Sequence, residues 1–228
     1  MLEAFHARAR RVRVGFTLLE LLVVTAVIGI LATLLLPVLN RARAKAEAIL
    51  CVSNLRQWGL ATQLYATDHN DLLPPEGTPN PGERSTNTGW YIQLPIEINL
   101  ARYHDMPWRT NADVNPGRTI WLCPSNPRRS NGLNLFHYCL NEHINGTGER
   151  NRPTTLGAIP DPSSAVWLFD TKNLPAVGYW GFVHTNLHGG GANFTFLDGH
   201  ARRFRKPDYW DDEKNRARTN NPEIRWVP

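Results

Sequence analysis

The feature that most constrains this chain is an apolar run at residues 16–39, FTLLELLVVTAVIGILATLLLPVL, which contains one charge, Glu20, and one proline, Pro37. As an α-helix this run would be about 36 Å long, enough to cross a hydrocarbon layer of about 30 Å. The run therefore predicts a transmembrane helix.

Basic residues just before the run set its orientation. They are Arg8, Arg10, Arg11 and Arg13. Because basic flanks stay on the cytoplasmic side of a membrane, we expect a single-pass protein with its N-terminus in the cytoplasm. Everything after residue 39 is then expected outside the cytoplasm.

Two simpler interpretations of the run are weaker. A cleavable secretory signal peptide has an apolar region of about 7–15 residues and a small-x-small cleavage site, whereas this run is longer and no such site follows it. A plain membrane anchor leaves Glu20 unexplained. An acid near the middle of a membrane helix costs about 2.5–3.5 kcal/mol, and less near the interface, so an intramembrane carboxylate needs a partner.

The composition and charge exclude several classes of protein. With 42% hydrophobic residues and 3 cysteines among 228 residues, the chain is neither disordered nor a disulfide mini-scaffold. Of the net charge of +5, the first 15 residues carry +3. The nearly neutral remainder, in which acids directly follow the basic run at 202–206, does not favour nucleic-acid binding.

The start of the apolar run carries a family resemblance. Gly15-Phe16-Thr17-Leu18-Leu19-Glu20, between a basic leader and a long apolar run, resembles the class III signal of type IV pilins and type II secretion pseudopilins. In that family the membrane-bound prepilin peptidase cuts after the glycine and methylates the new terminal amine. The resemblance implies cleavage between Gly15 and Phe16, N-methylation of Phe16, and a role in assembly for Glu20.

The physical chemistry of these residues agrees with the resemblance. Cleavage would create an α-amine on Phe16, whose ordinary pKa near 8 leaves it mostly cationic, one helical turn from Glu20. When helices bundle away from water, Glu20 of one subunit can neutralise the amine of a neighbour. A subunit out of register would leave one charge unpaired, so the acid would fix the register of assembly.

Residues 40–67 continue the helix beyond the apolar run. They are rich in helix formers, and Cys51, Leu55, Trp58, Thr62 and Tyr65 follow a 4-3-4-3 spacing that forms one amphipathic face. We expect one long helix whose half at 16–39 lies in the membrane and whose half at 40–67 packs on a head. The proline within it is expected to bend the helix rather than to end it.

The rest of the chain, residues 68–228, predicts a β-rich head after the leader at 1–15 and the two helix halves. Residues 68–89 are dense in Pro, Gly, Asn and Asp, which is typical of a loop. Short β-prone runs follow at 119–123, 136–140, 165–170, 178–184, 193–197 and 201–204. The last two flank Asp198-Gly199, which predicts a hairpin. The predicted fold is α+β and pilin-like, a long helix on a small antiparallel sheet.

A second resemblance covers nearly the whole chain. Cys51-Val-Ser-Asn-Leu-Arg-Gln at mid-helix, Cys123-Pro-Ser after a strand, and His188 separated by nine residues from Asp198-Gly199 resemble a pilin-like group abundant in planctomycete and verrucomicrobial bacteria. This group implies little about the task of the protein. Cys139 departs from it, since a glycine or other small residue is expected there.

Three cysteines in an extracytoplasmic domain allow one disulfide and one remaining thiol. A bond between Cys51 and Cys123 would join the helix to the sheet and could stabilise the fold by about 4 kcal/mol in the chain-entropy model. A bond between Cys123 and Cys139, or three free buried thiols, are the alternatives.

The C-terminal histidines raise the question of a metal or an active site. His188, Asp198 and His200 could approach one another across the hairpin and hold a metal. Major secretion pseudopilins bind calcium near their C-terminal end, but only Asp198 of these three supplies the oxygens that calcium prefers. We therefore expect no cofactor, and expect His188 to hydrogen-bond backbone beside the hairpin. His188-Gly-Gly-Gly resembles an esterase oxyanion loop, but the Gly-x-Ser-x-Gly nucleophile motif is absent from the sequence.

These observations favour a non-enzymatic, structural subunit. We expect an inner-membrane precursor with a periplasmic head, which prepilin peptidase processes and which assembles through its helix with other pilin-like subunits. A type II secretion pseudopilus is favoured over a type IV pilus-like filament. The alternative from another class is a membrane-tethered binding module, for a carbohydrate or another surface ligand, that uses exposed tryptophans.

Overall fold

The computed structural model describes residues 17–77, 89–109, 111, 113–127, 136–144, 155–172, 175–218 and 221–227. The chain divides into two compact units, Met1–Arg43 and Ala44–Pro228. The predicted leader at 1–15 and Phe16 lie outside the described residues.

One long helix, α1 (Leu18–Asp68), continues through Pro37 and confirms the long helix predicted from the sequence. In the first unit, every described side chain from residue 17 to residue 43 is exposed, including the apolar ones. Within the described ranges, α1 is the one helix that is long and apolar enough to cross a membrane. Its apolar half therefore has no protein core around it in the isolated chain.

The second unit, the head, is built on a five-stranded sheet with the strand order β3-β1-β2-β4-β5. The strands are β1 (Tyr138–Asn141), β2 (Val166–Asp170), β3 (Val177–Gly178), β4 (Gly191–Phe196) and β5 (Ala201–Arg205). The pairs β1–β2, β2–β4 and β4–β5 are antiparallel, as expected. The pair β1–β3 is parallel, so the sheet is mixed rather than purely antiparallel.

Shorter elements complete the head. A second helix, α2 (Trp90–Glu97), is the next element after α1 in the described chain. A one-turn helix, α3 (Lys206–Tyr209), leads from β5 into the two-stranded ribbon of β6 (Trp210–Asp211) and β7 (Arg216–Ala217). Leu168 and Phe169 are neighbours on β2 and both are fully buried, but they belong to different core clusters. Since successive side chains of a strand point to opposite faces, both faces of the sheet are covered.

The C-terminal half of α1 packs on this sheet through the face that the sequence predicts. Cys51, Leu55, Trp58, Thr62 and Tyr65 are all buried. Polar contacts reinforce the packing: the indole N–H of Trp167 donates to Thr62 Oγ1 (2.8 Å), and Thr195 Oγ1 donates to the carbonyl of Leu55 (3.1 Å). Side chains of β2 and β4 thus hold the helix directly.

Gly59 marks the closest approach of the helix to the sheet. A Cβ on Gly59 would lie 3.0 Å from the Cα of Gly199, in the β4–β5 turn, and closer still to its carbonyl oxygen. Gly199 itself has a φ of +90°, and the N–H of Phe196 donates to the carbonyl of His200 across a three-residue loop (3.0 Å). The predicted hairpin is therefore confirmed, and its glycine meets the glycine of the helix.

The strand predicted at 119–123 is wrong, because this segment forms a turn against α1. The N–H of Leu122 donates to the carbonyl of Thr119 (3.4 Å). The backbone carbonyls bond to helix side chains: Trp58 Nε1 donates to Ile120 O (3.1 Å), and Asn54 Nδ2 donates to Leu122 O (3.0 Å). Helix side chains take the place of a strand partner, which an apolar pattern alone does not reveal.

The strand predicted at 178–184 is also mostly wrong. The segment contributes only Gly178 to β3 and then forms a 3₁₀ turn, Trp180–Phe182. Its aromatic rings pack on one another, with the ring centroids of Tyr179 and Phe182 5.1 Å apart. The aromatic residues that suggested a strand serve this local packing instead.

Candidate functional site

The N-terminus of α1 contains the described part of the predicted processing and assembly site. Gly15 and Phe16 lie outside the described residues, so the scissile bond is not placed. Thr17 caps the helix, since its Oγ1 accepts the N–H of Glu20 (3.2 Å). In return, Glu20 Oε2 accepts the N–H and the hydroxyl of Thr17, each at 2.8 Å. This reciprocal arrangement is a capping box.

The capping box places a carboxylate on an otherwise apolar surface. Glu20 is exposed, and its neighbours Leu18 and Leu19 are 86% and 70% exposed. In water the acid needs no partner beyond the cap. In a membrane or a helix bundle it would be the single acid among apolar side chains, where a carboxylate requires a positive partner.

In the head, a disulfide joins α1 to the turn at 119–123. Cys51 and Cys123 are bonded, with an S–S distance of 2.02 Å and a Cα–Cα distance of 4.8 Å, and both residues are fully buried. Cys139 is a buried free cysteine on β1. Burial raises its pKa well above the ordinary value, and Glu142 adds to the increase. Its thiol is therefore protonated and unreactive in the folded head.

His188 lies beside this disulfide, and its partner differs from the one expected. In the described part of the chain its side chain pairs with a carboxylate and not with backbone: Nε2 lies 3.0 Å from Asp170 Oδ2 and 3.5 Å from Cys123 Sγ. Asp170 Oδ2 also accepts the backbone N–H of Asn193 (2.7 Å). Asp170 is not among the residues predicted from the sequence, although an acid that ends the apolar strand VWLFD is a signal for such a partner.

The three candidate metal ligands do not form one cluster. His200 Nδ1 bonds to Asp198 Oδ1 (2.6 Å), and its ring stacks on Phe196 at 4.4 Å between centroids. Both of these side chains are partly exposed, whereas that of His188 is fully buried against Asp170. Among the described residues, the one group of three or more His, Cys, Asp or Glu ligand atoms close enough to hold a metal is Cys51, Cys123 and His188, whose atoms lie within 4.8 Å of one another, with the two sulfurs joined in the disulfide.

Comparisons with known proteins address the N-terminal site. Residues 13–36 match the model of the prokaryotic N-terminal methylation motif, which contains the Gly-Phe-Thr-Leu-Leu-Glu segment. The chain is 36% identical over 93 residues to the type II secretion system core protein G of Aeromonas hydrophila, covering 37% of this chain and 65% of that protein.

A second relative decides the family. The chain is 31% identical over 110 residues to the type II secretion system core protein G of Pectobacterium carotovorum subsp. carotovorum, covering 46% of this chain and 68% of that protein. The chain belongs to this core protein G family. It spans about two thirds of the length of these relatives. No solved structure matches the chain.

The family match and the motif match together identify the N-terminus of α1 as a prepilin-type signal. This protein is a pilin-like, membrane-anchored member of the pseudopilin family, with a prepilin methylation motif and an α+β architecture. The motif match extends from the basic leader into α1, and so it includes the Thr17–Glu20 capping box. The matched residues include those on which the first resemblance rests, whereas the disulfide and the histidine of the head lie outside the motif match.

Proposed function

We propose that this protein is a structural subunit of a type II secretion pseudopilus. Prepilin peptidase would cut between Gly15 and Phe16 and methylate the new amine, and the mature subunit would assemble with other pilin-like subunits through α1. The observation that carries the proposal is the apolar half of α1, exposed on all sides, with Glu20 as its single charge. Two relatives named as type II secretion core proteins support the choice of machine.

The apolar half of α1 can be surrounded either by lipid or by the helices of other subunits. Lipid tails solvate apolar side chains as well as a neighbouring helix does, so close packing and charge pairing decide between them. Before cleavage, Glu20 is occupied by its own cap through Thr17. After cleavage, a neighbour's Phe16 amine is the stronger partner, because it carries a full positive charge that the neutral donors of Thr17 lack, and opposite charges attract more strongly away from water.

The membrane topology belongs to the same proposal. The arginines before residue 15 favour a cytoplasmic N-terminus in the bacterial inner membrane, which would leave the head in the periplasm. The Cys51–Cys123 disulfide supports an oxidising compartment for the head. The proposed assembly needs no cofactor and no catalytic residue.

The test separates the charge of Glu20 from its capping role. In Glu20→Gln the amide can still accept from Thr17, since Gln also completes a capping box, but the charge is lost. Glu20→Ala removes both, and Glu47→Gln removes an acid from the same helix outside the apolar run. The measurement is the yield of chemically cross-linked oligomers from native membranes that contain the secretion machinery.

We expect Glu20→Gln and Glu20→Ala to lose the oligomers alike, while Glu47→Gln matches the wild type. Normal oligomers in Glu20→Gln would contradict the charge-pairing mechanism. Normal oligomers in both Glu20 variants, with no processing of the leader, would instead favour a membrane-tethered binding module.

A further inference from the structure

Four buried side chains from different parts of the head meet where α1 packs on the sheet. Cys51 comes from the helix, Cys123 from the turn after residue 119, Asp170 from the end of β2, and His188 from the loop before β4. The ligand atoms of the two cysteines and the histidine all lie within 4.8 Å of one another. The carboxylate oxygen Oδ2 of Asp170 lies 3.0 Å from His188 Nε2.

A carboxylate oxygen and a sulfur both lie near His188 Nε2, at 3.0 and 3.5 Å. A Cys-His-Asp catalytic arrangement would use opposite ring nitrogens for the two partners. Ligand atoms around a tetrahedral zinc ion have a similar spacing, about 3.6 Å between N and S and about 3.4 Å between N and O.

One unpartnered atom at the cluster fits a cation. Asp170 Oδ1 is a buried acceptor without a hydrogen-bond partner in the part of the chain that the structure describes. A buried polar atom without a partner is unfavourable. A disulfide with only a structural role would be served as well by apolar neighbours, which carry no such cost.

We propose that the dithiol form of this protein binds one Zn²⁺ through Cys51, Cys123, His188 and Asp170, and that disulfide formation excludes the metal. Thiolate and imidazole are the ligands that favour zinc, and Asp170, whose carboxylate lies 3.0 Å from His188 Nε2, would supply the fourth ligand of a tetrahedral site. The bound metal would hold α1 to the sheet when the disulfide is absent. This site is independent of the proposed pseudopilus function, because it involves only the head.

The redox balance of the exchange is simple. A dithiol reductant gives two electrons and two protons to the Cys51–Cys123 bond and becomes a disulfide itself, leaving two thiols. Zn²⁺ then displaces the two thiol protons. In the reverse direction, a disulfide of an exchange partner accepts two electrons from the two thiolates and releases the metal.

The experiment uses the full chain in detergent micelles, reduced with a phosphine or left oxidised. Zinc affinity is measured by competition with a chromophoric chelator, and Co²⁺ is added as a spectroscopic probe of thiolate ligation. We expect one metal per reduced chain, a sulfur-to-cobalt charge-transfer band, and no binding to the oxidised chain. Zinc should also raise the melting temperature of the reduced form alone.

Matched variants identify the ligands. His188→Gln and Asp170→Asn keep the approximate side-chain size and should each weaken zinc binding by at least about tenfold. Mutation of a residue that only hydrogen-bonds to a metal ligand already lowers metal affinity about 10–100-fold. His200→Gln, in the exposed pair with Asp198, and Cys139→Ser should bind as the wild type does. Circular dichroism and tryptophan emission of each oxidised variant verify that the head is folded.

Two results would overturn the proposal. The first is a reduced chain that binds zinc no more tightly than the oxidised chain. The second is binding by folded His188→Gln and Asp170→Asn that equals the wild type, since the metal would then be held by the two thiolates alone.

Discussion

The two halves of α1 have the same backbone conformation and opposite surroundings. From residue 18 to residue 43, every side chain is exposed, and most of the first 22 are apolar. From residue 44 to residue 68, exposed polar side chains alternate with a narrow buried stripe that includes Leu55 and Trp58. Helix formation therefore does not distinguish the halves. The distinction lies in what covers their apolar side chains, the head core in one half and lipid or other subunits in the other.

One threonine from each half of α1 shows the same difference on the scale of one hydroxyl. Thr33 Oγ1 donates to the carbonyl of Ile30 within its own helix (2.7 Å). Thr62 Oγ1 also donates within the helix, to the carbonyl of Trp58 (2.9 Å), but it accepts the indole N–H of Trp167 from the sheet. The threonine hydroxyl makes only a local bond in the apolar half, whereas in the head half it also makes a tertiary contact.

The largest expected difference between the two halves of α1 is in the effect of a leucine truncation on head stability. Leu55→Ala should lower the free energy of unfolding of the head by about 2–5 kcal/mol, because it opens a cavity at a fully buried position. Leu31→Ala, at an exposed position of the apolar half, should leave the head unchanged. All 8 tryptophans lie in the head, so their emission during urea unfolding of the full chain in micelles reports the head alone. Equal losses in the two variants would contradict the division.

One glycine in each half of α1 provides a second test of the same difference in surroundings. Gly59→Ala should cost about 1–3 kcal/mol, because the new Cβ overlaps the backbone of Gly199 and forces the helix from the sheet. A Cβ on Gly29 meets nothing within 4 Å, so Gly29→Ala should leave head unfolding unchanged. The same urea titration measures both. A neutral Gly59→Ala would mean that the helix and the hairpin turn are not in close contact.

The threonine pair is expected to have a similar or smaller effect. Thr62→Val leaves the buried indole N–H of Trp167 without its acceptor and should cost about 1–3 kcal/mol. Thr33→Val removes only a local bond and should not change head unfolding. The near-ultraviolet circular dichroism of Trp167 should change in the first variant only. A spectrum unaltered in Thr62→Val would show that the bond does not order the indole.

The smallest expected effect is a pH dependence of the head. Burial lowers the pKa of His184 below its ordinary value of 6.5, with His188 and Lys172 adding to the decrease and Asp170 opposing it. The folded state then binds fewer protons than the unfolded state, so stability falls as the pH drops from 6.5 through the folded pKa. The loss should be below about 1 kcal/mol, because the half-buried ring is screened by solvent.

His184→Gln should reduce this loss when unfolding is compared at pH 7.5 and pH 5.5. His200→Gln serves as its control, since that ring lies on the partly exposed hairpin turn. A pH dependence unchanged in His184→Gln would assign the loss to other groups.

The sequence predicts the parts of this molecule that depend on local pattern. The length of α1, its buried stripe, the strands on either side of Asp198-Gly199 and the prepilin signal all follow from spacing within one segment. The turn at 119–123 does not, because its carbonyls bond to Asn54 and Trp58, which lie more than 60 residues away. The Asp170–His188 pair was missed for the same reason. The apolar strand before Asp170 indicates that this acid is buried, but tertiary packing decides that His188, beside Cys123, is its partner.

Mass spectrometry of the N-terminus shows whether the exposed half of α1 belongs to a processed assembly subunit. The protein is recovered from native membranes, and its intact mass and N-terminal peptide are measured. We expect a chain that begins at Phe16 with a methylated amine. A chain that begins at Met1 with an unmodified leader would contradict it, and α1 would then be only a membrane anchor.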